Sequence, residues 1–186
     1  MEIVRPGPEH VPGYVDALQR GWSPDNVRGA AATQEALARI AADAAGFLAL
    51  TDDPDARGPV VTLPDGTQHA RIPGLTRWMW DEEGFAGSIG LRWMPAGAAL
   101  PPHVLGHIGY TVVPWKRRRG YATRALAQML PLARERGLAH VEITTDPDNL
   151  ASQRVITANG GVLLESFDKG LAYGHQAGLR YRIELA

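Results

Sequence analysis

The sequence predicts one α/β domain in which helices flank a mixed sheet, and three observations support this class. Residues 76–93 contain two segments whose apolar side chains alternate with period two, as in antiparallel strands. Residues 106–167 alternate strand-like segments with segments of helical periodicity. The chain of 186 residues is long enough for one well-buried core and short for two, so a single domain over residues 1–186 is expected.

The N-terminal part, residues 1–70, is expected to be helical and irregular. Apolar residues at helical spacing predict a short amphipathic helix over residues 9–20. A second helix is predicted over Thr33–Ala45, with Thr33 as its N-cap. Residues 51–58 and 63–67 are rich in Asp, Pro and Gly and are predicted to be a loop and a turn.

A β-hairpin is predicted in the middle of the chain. Its strands are Thr76–Trp80 and Phe85–Trp93, and the turn between them carries three acidic residues and Gly84. Trp78 and Trp80 share one face of the first strand. They either form an aromatic platform for a ligand or pack into the core, and core packing is the favoured interpretation because period-two aromatics usually bury against a helix.

The C-terminal half alternates strands and helices. A strand over residues 106–113 precedes the main helix, Tyr121–Arg136, which ends before Gly137 in the manner of a glycine C-cap. The predicted buried stripe of that helix consists of Ala122, Ala125, Leu126, Met129 and Ala133. The remaining predicted elements are a strand over Val141–Thr145, a short helix over Leu150–Ala158, and strands over Val162–Ser166 and Leu179–Leu185.

Composition excludes several classes of protein. The 19 basic and 20 acidic residues nearly cancel, so no general attraction to nucleic acid is expected. No apolar segment approaches the ~20 residues of a membrane span, and the N-terminus lacks the pattern of a signal peptide, which predicts a cytoplasmic protein. Without cysteine the chain has no disulfide framework, no thiolate metal site and no cysteine nucleophile. No metal is expected.

The segment 112–123 is the most informative part of the chain. Pro114 ends an apolar strand, four consecutive cations follow at residues 116–119, and Gly120 precedes a helix. Gly120 and Ala122 lack bulky side chains, so a ligand can approach the main chain where helical N–H groups are unpaired. Those N–H groups, the helix dipole and the cations all favour an anion. The pattern predicts a binding loop for a pyrophosphate.

The spacing of this loop narrows the choice of ligand. It matches neither the G-x-x-x-x-G-K-[ST] phosphate loop nor the G-x-G-x-x-G dinucleotide fingerprint. Arg117-x-x-Gly120-x-Ala122 resembles the acyl-CoA loop of the GNAT superfamily of N-acyltransferases. The downstream run Asp146–Ile156, with its Asn-x-x-Ser-x-x-Val pattern and a following glycine pair, is similar to the second motif of that superfamily. The resemblance is strong over Gly106–Phe167, the expected acyl-CoA-binding core, and is not visible before about residue 70.

The resemblance implies a fold, a co-substrate and a set of contacts. The fold is a central mixed, mostly antiparallel sheet of about six to seven strands flanked by helices, and the co-substrate is acetyl-CoA. The implied pantetheine contacts are the main-chain groups of Val112 and Val113, and the implied pyrophosphate contacts are Arg117, Arg118, Arg119, Gly120, Tyr121, Ala122 and Thr123, with Lys116 near the ribose phosphate. Asn149 and Ser152 match positions beside the pantetheine arm or thioester. Helix capping by Asn149 and back-bonding by Ser152 are the alternatives.

The sequence indicates the general base and the general acid less clearly than it indicates the co-substrate contacts. His107 lies close to where many relatives place a Glu or His, and its ordinary pKa suits a general base. The alternative is a histidine that pairs strands and never meets substrate, and His103 is a weaker candidate. Glu142 is expected to face water. Ile156 stands where many relatives carry a tyrosine as general acid, so Tyr110 or water is left for that role.

The predicted function is transfer of an acetyl group from acetyl-CoA to a primary amine by direct attack in a ternary complex, since there is no cysteine to carry the group. A non-catalytic acyl-CoA-binding module is the alternative. The acceptor is a small-molecule or peptide amine, and a cationic one is favoured only if Asp81, Glu82 and Glu83 flank the cleft. Residues 168–178 form a lid or a simple loop. A homodimer is common among such proteins and cannot be read from the sequence.

Overall fold

A computed structural model describes residues 1–185. The chain begins with strand β1 (Glu2–Val4) and continues with three helices, α1 (Val11–Gln19), α2 (Ala30–Ala42) and α3 (Ala44–Ala49). Both predicted N-terminal helices are present, but the second begins three residues earlier than expected. Thr33 is therefore not an N-cap. It is buried inside α2, and its hydroxyl donates to the carbonyl of Trp22 over 3.1 Å.

The interruption between α2 and α3 has a local cause. Asp43 has an extended conformation and lies between the two helices. Its carboxylate accepts a hydrogen bond from the N–H of Gly46 over 2.9 Å, which caps the N-terminus of α3. The predicted single helix over Thr33–Ala45 is therefore two helices, because an aspartate side chain competes with the helical hydrogen bonds at this point.

The first sheet has five strands. After the two-residue strand β2 (Asp52–Asp53) come a small separate hairpin, β3 (Val61–Thr62) and β4 (Gln68–His69), and then the long strands β5 (Gly74–Asp81), β6 (Gly84–Arg92) and β7 (Ile108–Val112). The order is β1-β5-β6-β7, with β2 also pairing β5, and every pair is antiparallel. The predicted β5–β6 hairpin is confirmed.

The second sheet has three strands. Helix α4 (Tyr121–Glu135) is followed by β8 (His140–Thr145), α5 (Leu150–Thr157), β9 (Val162–Asp168) and β10 (Ala177–Glu184). These strands pair antiparallel in the order β8-β10-β9. The predicted mixed α/β fold with antiparallel strands flanked by helices is confirmed, and the strands are divided between two sheets. As predicted, α4 ends just before Gly137, whose φ of 79° is the left-handed conformation of a C-terminal cap.

The first sheet separates two apolar clusters. On one face, α4 buries Ala125, Leu126, Met129 and Ala133 against β5, β6 and the second sheet. On the other face, α1 packs Tyr14 and Leu18 against Trp78 and Phe85. Tyr14 stacks on Trp78 with ring centroids 4.3 Å apart. Core packing of the hairpin tryptophans, the favoured interpretation, is confirmed for Trp78 by its 1% exposure.

The two sheets meet at the N-terminal end of β7. The N–H of His107 donates to the carbonyl of Glu142 in β8 over 2.7 Å, and the N–H of Glu142 donates back to Nδ1 of His107 over 2.9 Å. A Cβ at Gly106 would lie 2.9 Å from the same carbonyl, so the strands approach closely there. β7 and β8 share no ladder pairing beyond this point. The strands therefore separate toward the C-terminal end of β7.

Candidate active site

The predicted pyrophosphate loop forms an open turn at the N-terminus of α4. A 3-10 turn over Pro114–Lys116 follows β7, and the chain then reaches Gly120, which has a left-handed conformation with φ 73°. A Cβ at Gly120 would meet no heavy atom within 4 Å. The turn is therefore not filled by the protein's own side chains, and main-chain groups are accessible there.

The main-chain N–H groups at this turn are suited to an anion. The first hydrogen bond of α4 runs from Arg124 N to Gly120 O. The N–H groups of Tyr121, Ala122 and Thr123 therefore precede the helical ladder, and no side chain caps them in the described part of the chain. Together with the positive end of the helix dipole, they provide donors that a phosphate group can use.

The acidic turn of the β5–β6 hairpin lies against this loop. The carboxylate of Asp81 accepts hydrogen bonds from Nζ of Lys116 over 2.6 Å and from the hydroxyl of Tyr121 over 2.7 Å. Lys116 is only 3% exposed, so its ammonium group is committed to Asp81 and is not placed to meet a ribose phosphate. Burial raises the pKa of Asp81, but the hydrogen bonds from Lys116 and Tyr121 outweigh this effect and lower it overall.

The three loop arginines have different surroundings. Nε of Arg117 donates to the carbonyl of Val112 over 3.2 Å. Arg119 lies 3.4 Å from the carboxylate of Glu83 in the hairpin turn, and this pair is exposed. Arg118 is exposed and has a positive φ of 62°. Their guanidinium groups border the open turn, where they add positive potential.

The main-chain groups of Val113 are already hydrogen-bonded. Its N–H donates to the carbonyl of Ala86 over 3.0 Å, and its carbonyl accepts from the N–H of Lys116 over 3.0 Å. The carbonyl of Val112 accepts from Arg117. The N–H of Val112, but not the main chain of Val113, is therefore available for a further hydrogen bond at this end of β7.

On the other side of the gap, α5 contributes two polar residues. Oδ1 of Asn149 accepts from the N–H of Ser152 over 3.0 Å, which caps α5. The Ser152 hydroxyl does not bond back to its own helix. It lies 2.8 Å from the hydroxyl of Tyr110 on β7. Ile156 is fully buried in the core, so no titratable group occupies the position where many relatives carry the tyrosine.

His107 lies at the junction of the two sheets. Its side chain is buried, its Nδ1 accepts from Glu142 N, and its ring contacts that of His140 edge-on at 6.2 Å. Burial lowers the pKa of His107, and the charge of Glu142 only partly opposes this effect. Glu142 itself does not simply face water, because its carboxylate is held by Arg180 over 3.1 Å and Arg182 over 2.8 Å.

A cleft of about 590 Å³ opens on the face of the first sheet that carries α1 and α2. Gly90 and Gly109 are paired across β6 and β7 and form part of its floor. Its lining includes Tyr110 and His103, whereas His107 does not line it. His103 stacks on His69 with centroids 4.0 Å apart, and burial followed by the charge of His69 lowers the pKa of His103. The volume is typical of a small-molecule site.

Residues 168–178, the ends of β9 and β10 and the hydrogen-bonded loop between them, lie beside this cleft. The carboxylate of Asp168 accepts from Gly170 N over 2.7 Å and is 2.8 Å from Nδ1 of His175. The hydroxyl of Tyr173 donates to the carbonyl of His103 over 3.1 Å, and Tyr173 lines the cleft. The sequence predicts only a lid or a loop for this segment. The contact between Tyr173 and His103 joins residues far apart in the chain, so no local pattern indicates it.

Comparison with known families identifies the fold. The model of the acetyltransferase (GNAT) domain matches residues 34–162, so the match begins well before the region in which the motifs are visible. A sequence search of curated proteins found no match. In residues 1–185, no helix has both the length and the apolar character needed to cross a membrane.

Solved structures share this fold over most of the chain. A RimL ribosomal L7/L12 alpha-N-protein acetyltransferase in complex with coenzyme A has a TM-score of 0.64 and 14% identity, covering 98% of this chain and 93% of that one. The microcin C7 self-immunity acetyltransferase MccE in complex with acetyl-CoA and AMP has a TM-score of 0.60 and 12% identity, covering 98% and 91%. The chain belongs to the GNAT acetyltransferase family.

Proposed function

We propose that this protein transfers an acetyl group from acetyl-CoA to a primary amine by direct attack in a ternary complex. The observation that carries the proposal is the open turn at Gly120, where unpaired N–H groups at the N-terminus of α4 are accessible and no side chain fills the space. Since the chain has no cysteine, no thiol is present to hold the acetyl group between two steps.

The residues around the gap between β7 and β8 fit the co-substrate. The N–H groups of residues 120–123 and the side chains of Arg117, Arg118 and Arg119 would hold the pyrophosphate. The N–H of Val112 would pair with a pantetheine amide. Asn149 would act by capping α5 and so positioning Ser152. Acetyl-CoA supplies the acetyl thioester, and the protein binds it and orients the acceptor.

Two histidines compete for the role of general base. His103 lines the cleft, and its lowered pKa keeps it neutral and able to accept a proton near neutral pH. His107, the base expected from the sequence, is neutral too, but its Nδ1 is engaged at the sheet junction. These surroundings favour the strand-pairing alternative for His107, and its role as base stays a prediction.

The Tyr110–Ser152 pair is suited to the role of general acid. Burial raises the pKa of Tyr110 to about 12, so its hydroxyl remains protonated at neutral pH. The two hydroxyls are 2.8 Å apart and bridge β7 and α5, on either side of the gap proposed for pantetheine. Either hydroxyl can donate a proton there, which compensates for the missing tyrosine at residue 156.

The substitution Gly120→Glu tests the cofactor site. We expect it to abolish detectable acetyl-CoA binding in calorimetry, because a carboxylate would occupy the space meant for phosphate. Gly137→Glu is the matched control: it introduces the same residue at the other end of the same helix, also at a positive φ and with nothing within 4 Å of the Cβ. Unchanged affinity in Gly120→Glu, or equal losses in both variants, would contradict the site.

A second measurement separates an enzyme from a binding module. Released coenzyme A is detected with a thiol reagent across a panel of amines, and the protein adds no background because it has no cysteine. An enzyme releases thiol in the presence of at least one amine, whereas a sensor binds acetyl-CoA and releases none. Small-molecule and peptide amines both belong in the panel.

A homodimer is part of the proposal because of strand β9. This strand lies at the edge of the second sheet, and Val162, Leu163 and Leu164 are 65%, 51% and 46% exposed. An apolar edge strand is prone to pairing with another chain. We expect a dimer in sedimentation velocity that Leu164→Lys dissociates, while Leu171→Lys, at a 76% exposed position in the 168–178 loop, leaves it intact. A monomeric parent protein would refute this assembly.

A further inference from the structure

Arg92 is an arginine of the cleft whose charge has no partner. It is the last residue of β6, and its guanidinium extends over β7, with Nη2 3.0 Å from where a Cβ at Gly109 would lie. The side chain is accessible to solvent within the cleft. Over residues 1–185 its guanidinium makes no hydrogen bond or ion pair, whereas its main-chain N–H donates to the carbonyl of His107.

The partly buried arginines near the sheets, in contrast, are paired. Arg71 lies 3.1 Å from Asp53, Arg77 lies 3.2 Å from Asp52, and Arg180 lies 3.1 Å from Glu142. Arg92 is more exposed than these arginines, and no carboxylate among the described residues forms an ion pair with it. Desolvation by the surrounding protein atoms lowers the pKa of Arg92, and the charges of Tyr173 and Asp25 only partly oppose this effect. Because an arginine remains protonated in proteins, its guanidinium is available to an anion that enters the cleft.

The rest of the cleft reinforces this preference. Arg39 and Arg71 also line it, and Arg39 has no carboxylate partner among the described residues. Asp25 is the single carboxylate of the described lining, and its Oδ1 accepts from the N–H groups of Val27 and Arg28. Asp81 and Glu83, two of the three acidic residues of the β5–β6 turn, are instead paired with Lys116 and Arg119. The cleft is basic in its balance.

The position of Arg92 also relates it to the proposed reaction. Tyr110 of β7 and Thr144 of β8, which lie on the two sides of the gap between the sheets, line the same cleft as Arg92. A group bound to Arg92 is thus held in the cleft that reaches the place where acetyl transfer is proposed. Because a guanidinium presents paired N–H donors, it suits a carboxylate or a phosphate group.

We infer that the acceptor carries an oxyanion, either a carboxylate or a phosphate, close to its amine, and that Arg92 binds this group. The inference names a substrate class and rests on the proposed function. It makes Arg92 a specificity-determining residue: a neutral amine of the same size would lack the charge-assisted hydrogen bonds and be used less well.

The test uses three acetylated probes that differ in charge. N-acetylglycine has a carboxylate, 2-acetamidoethyl phosphate has a phosphate, and N-acetylglycinamide is neutral. Calorimetry on the protein saturated with coenzyme A is expected to show at least about tenfold tighter binding of one or both charged probes than of the amide, since charge-assisted hydrogen bonds discriminate by this order. The stronger of the two charged probes identifies the oxyanion.

Variants then assign the preference to one side chain. Arg92→Gln is expected to remove it, Arg92→Lys to keep part of it, and Arg134→Gln, an exposed arginine on α4, to leave it unchanged. Equal affinity for charged and neutral probes, no binding of any charged probe, or a preference that survives Arg92→Gln would each overturn the inference.

Coenzyme A binding separates the two possible failures. It is measured first, without probes, in the parent protein and in Arg92→Gln, and equal affinity is expected because Arg92 lies beside the start of β7, whereas the open turn at Gly120 follows the end of β7. If the parent protein binds no coenzyme A, the proposed function fails. If it binds coenzyme A and releases thiol with neutral amines as readily as with anionic ones, only the inference on the acceptor fails.

Discussion

At the scale of single residues, His107 illustrates how surroundings decide a role. Its position in the sequence fits a base, and its ordinary pKa fits one too. In the fold, the His107 ring connects the two sheets, because its Nδ1 accepts a hydrogen bond from Glu142 N over 2.9 Å. A ring nitrogen accepts only when it carries no hydrogen, so this bond requires the neutral tautomer with its hydrogen on Nε2. Burial favours the same neutral form.

Substitution of His107 distinguishes pairing from catalysis. We expect His107→Ala to lower turnover and to cost about 1–3 kcal/mol of unfolding free energy, because Glu142 N loses its acceptor in a buried place. His107→Asn is expected to keep most of the turnover, since its side-chain oxygen can accept the same bond. Acetyl-CoA affinity should change little in both variants. Loss of turnover in a stable His107→Asn protein would instead make His107 the base.

The same residue predicts how stability depends on pH. Burial lowers the pKa of His107 in the folded protein below its ordinary 6.5, so the unfolded chain binds more protons below that pH. Its contribution to stability is therefore full above pH 6.5 and declines as the pH falls toward the lowered pKa. Between pH 7 and pH 5, the free energy of unfolding should fall less in His107→Asn than in the parent protein, as measured by denaturant titration at each pH. Equal falls in the two proteins would mean that groups other than His107 cause the pH dependence.

At the scale of elements, the β5–β6 hairpin positions the loop that precedes α4. The turn of the hairpin supplies Asp81 to Lys116 and Tyr121, and Glu83 to Arg119. Two elements distant in sequence are thereby held together at the N-terminus of α4. Lys116 and Arg119 are thereby partly neutralised, so in the proposed site the main-chain N–H groups, Arg117 and Arg118 would supply most of the attraction to phosphate.

Asp81→Asn tests this arrangement. We expect it to lower the unfolding free energy by up to about 3 kcal/mol, because Lys116 would remain as a buried charge without its carboxylate. We also expect weaker acetyl-CoA binding, since Tyr121 at the start of α4 loses a partner. Glu82→Gln, in the same turn, is the control. Denaturant titration and calorimetry give the two quantities, and an Asp81→Asn protein that resembles Glu82→Gln in both would contradict the role.

At the scale of the whole molecule, Gly106 and Gly90 keep two different places in the fold free of side chains. Gly106 brings the two sheets together, because a side chain there would lie 2.9 Å from the carbonyl of Glu142. Gly90 forms part of the cleft floor, where a Cβ would be 3.7 Å from the nearest atom. The sheet junction and the cleft thus depend on small residues for different reasons.

The variants Gly106→Ala and Gly90→Ala should behave differently. Gly106→Ala is expected to destabilise the protein by about 1–3 kcal/mol, because main-chain atoms on both sides must shift. Gly90→Ala is expected to keep stability within about 1 kcal/mol and to reduce use of the acceptor, since its methyl group enters the cleft. Thermal denaturation and acceptor KM are the measurements. Reversed effects would refute this account of the two positions.

The elements themselves were largely predictable from the sequence. The β5–β6 hairpin and α4 have strong periodicity and local end signals, such as Gly137, which act within a few residues. The interruption between α2 and α3 at Asp43 was not predicted. Capping by the Asp43 side chain and continuation of the helix are close in free energy, so the sequence pattern does not distinguish them. The two-residue strands β2, β3 and β4 carry no periodicity that a pattern could detect.

The family and the open turn at Gly120 could be inferred from the sequence alone, because both depend on local spacing and on glycine's freedom at positive φ. Which charges are available to a ligand depends instead on tertiary contacts. Lys116 is paired with Asp81 and Arg92 is left unpaired in the cleft, although the sequence singled out the lysine and passed over the arginine. Pairing and burial depend on residues far apart in the chain, so the charge that a ligand meets is a property of the fold.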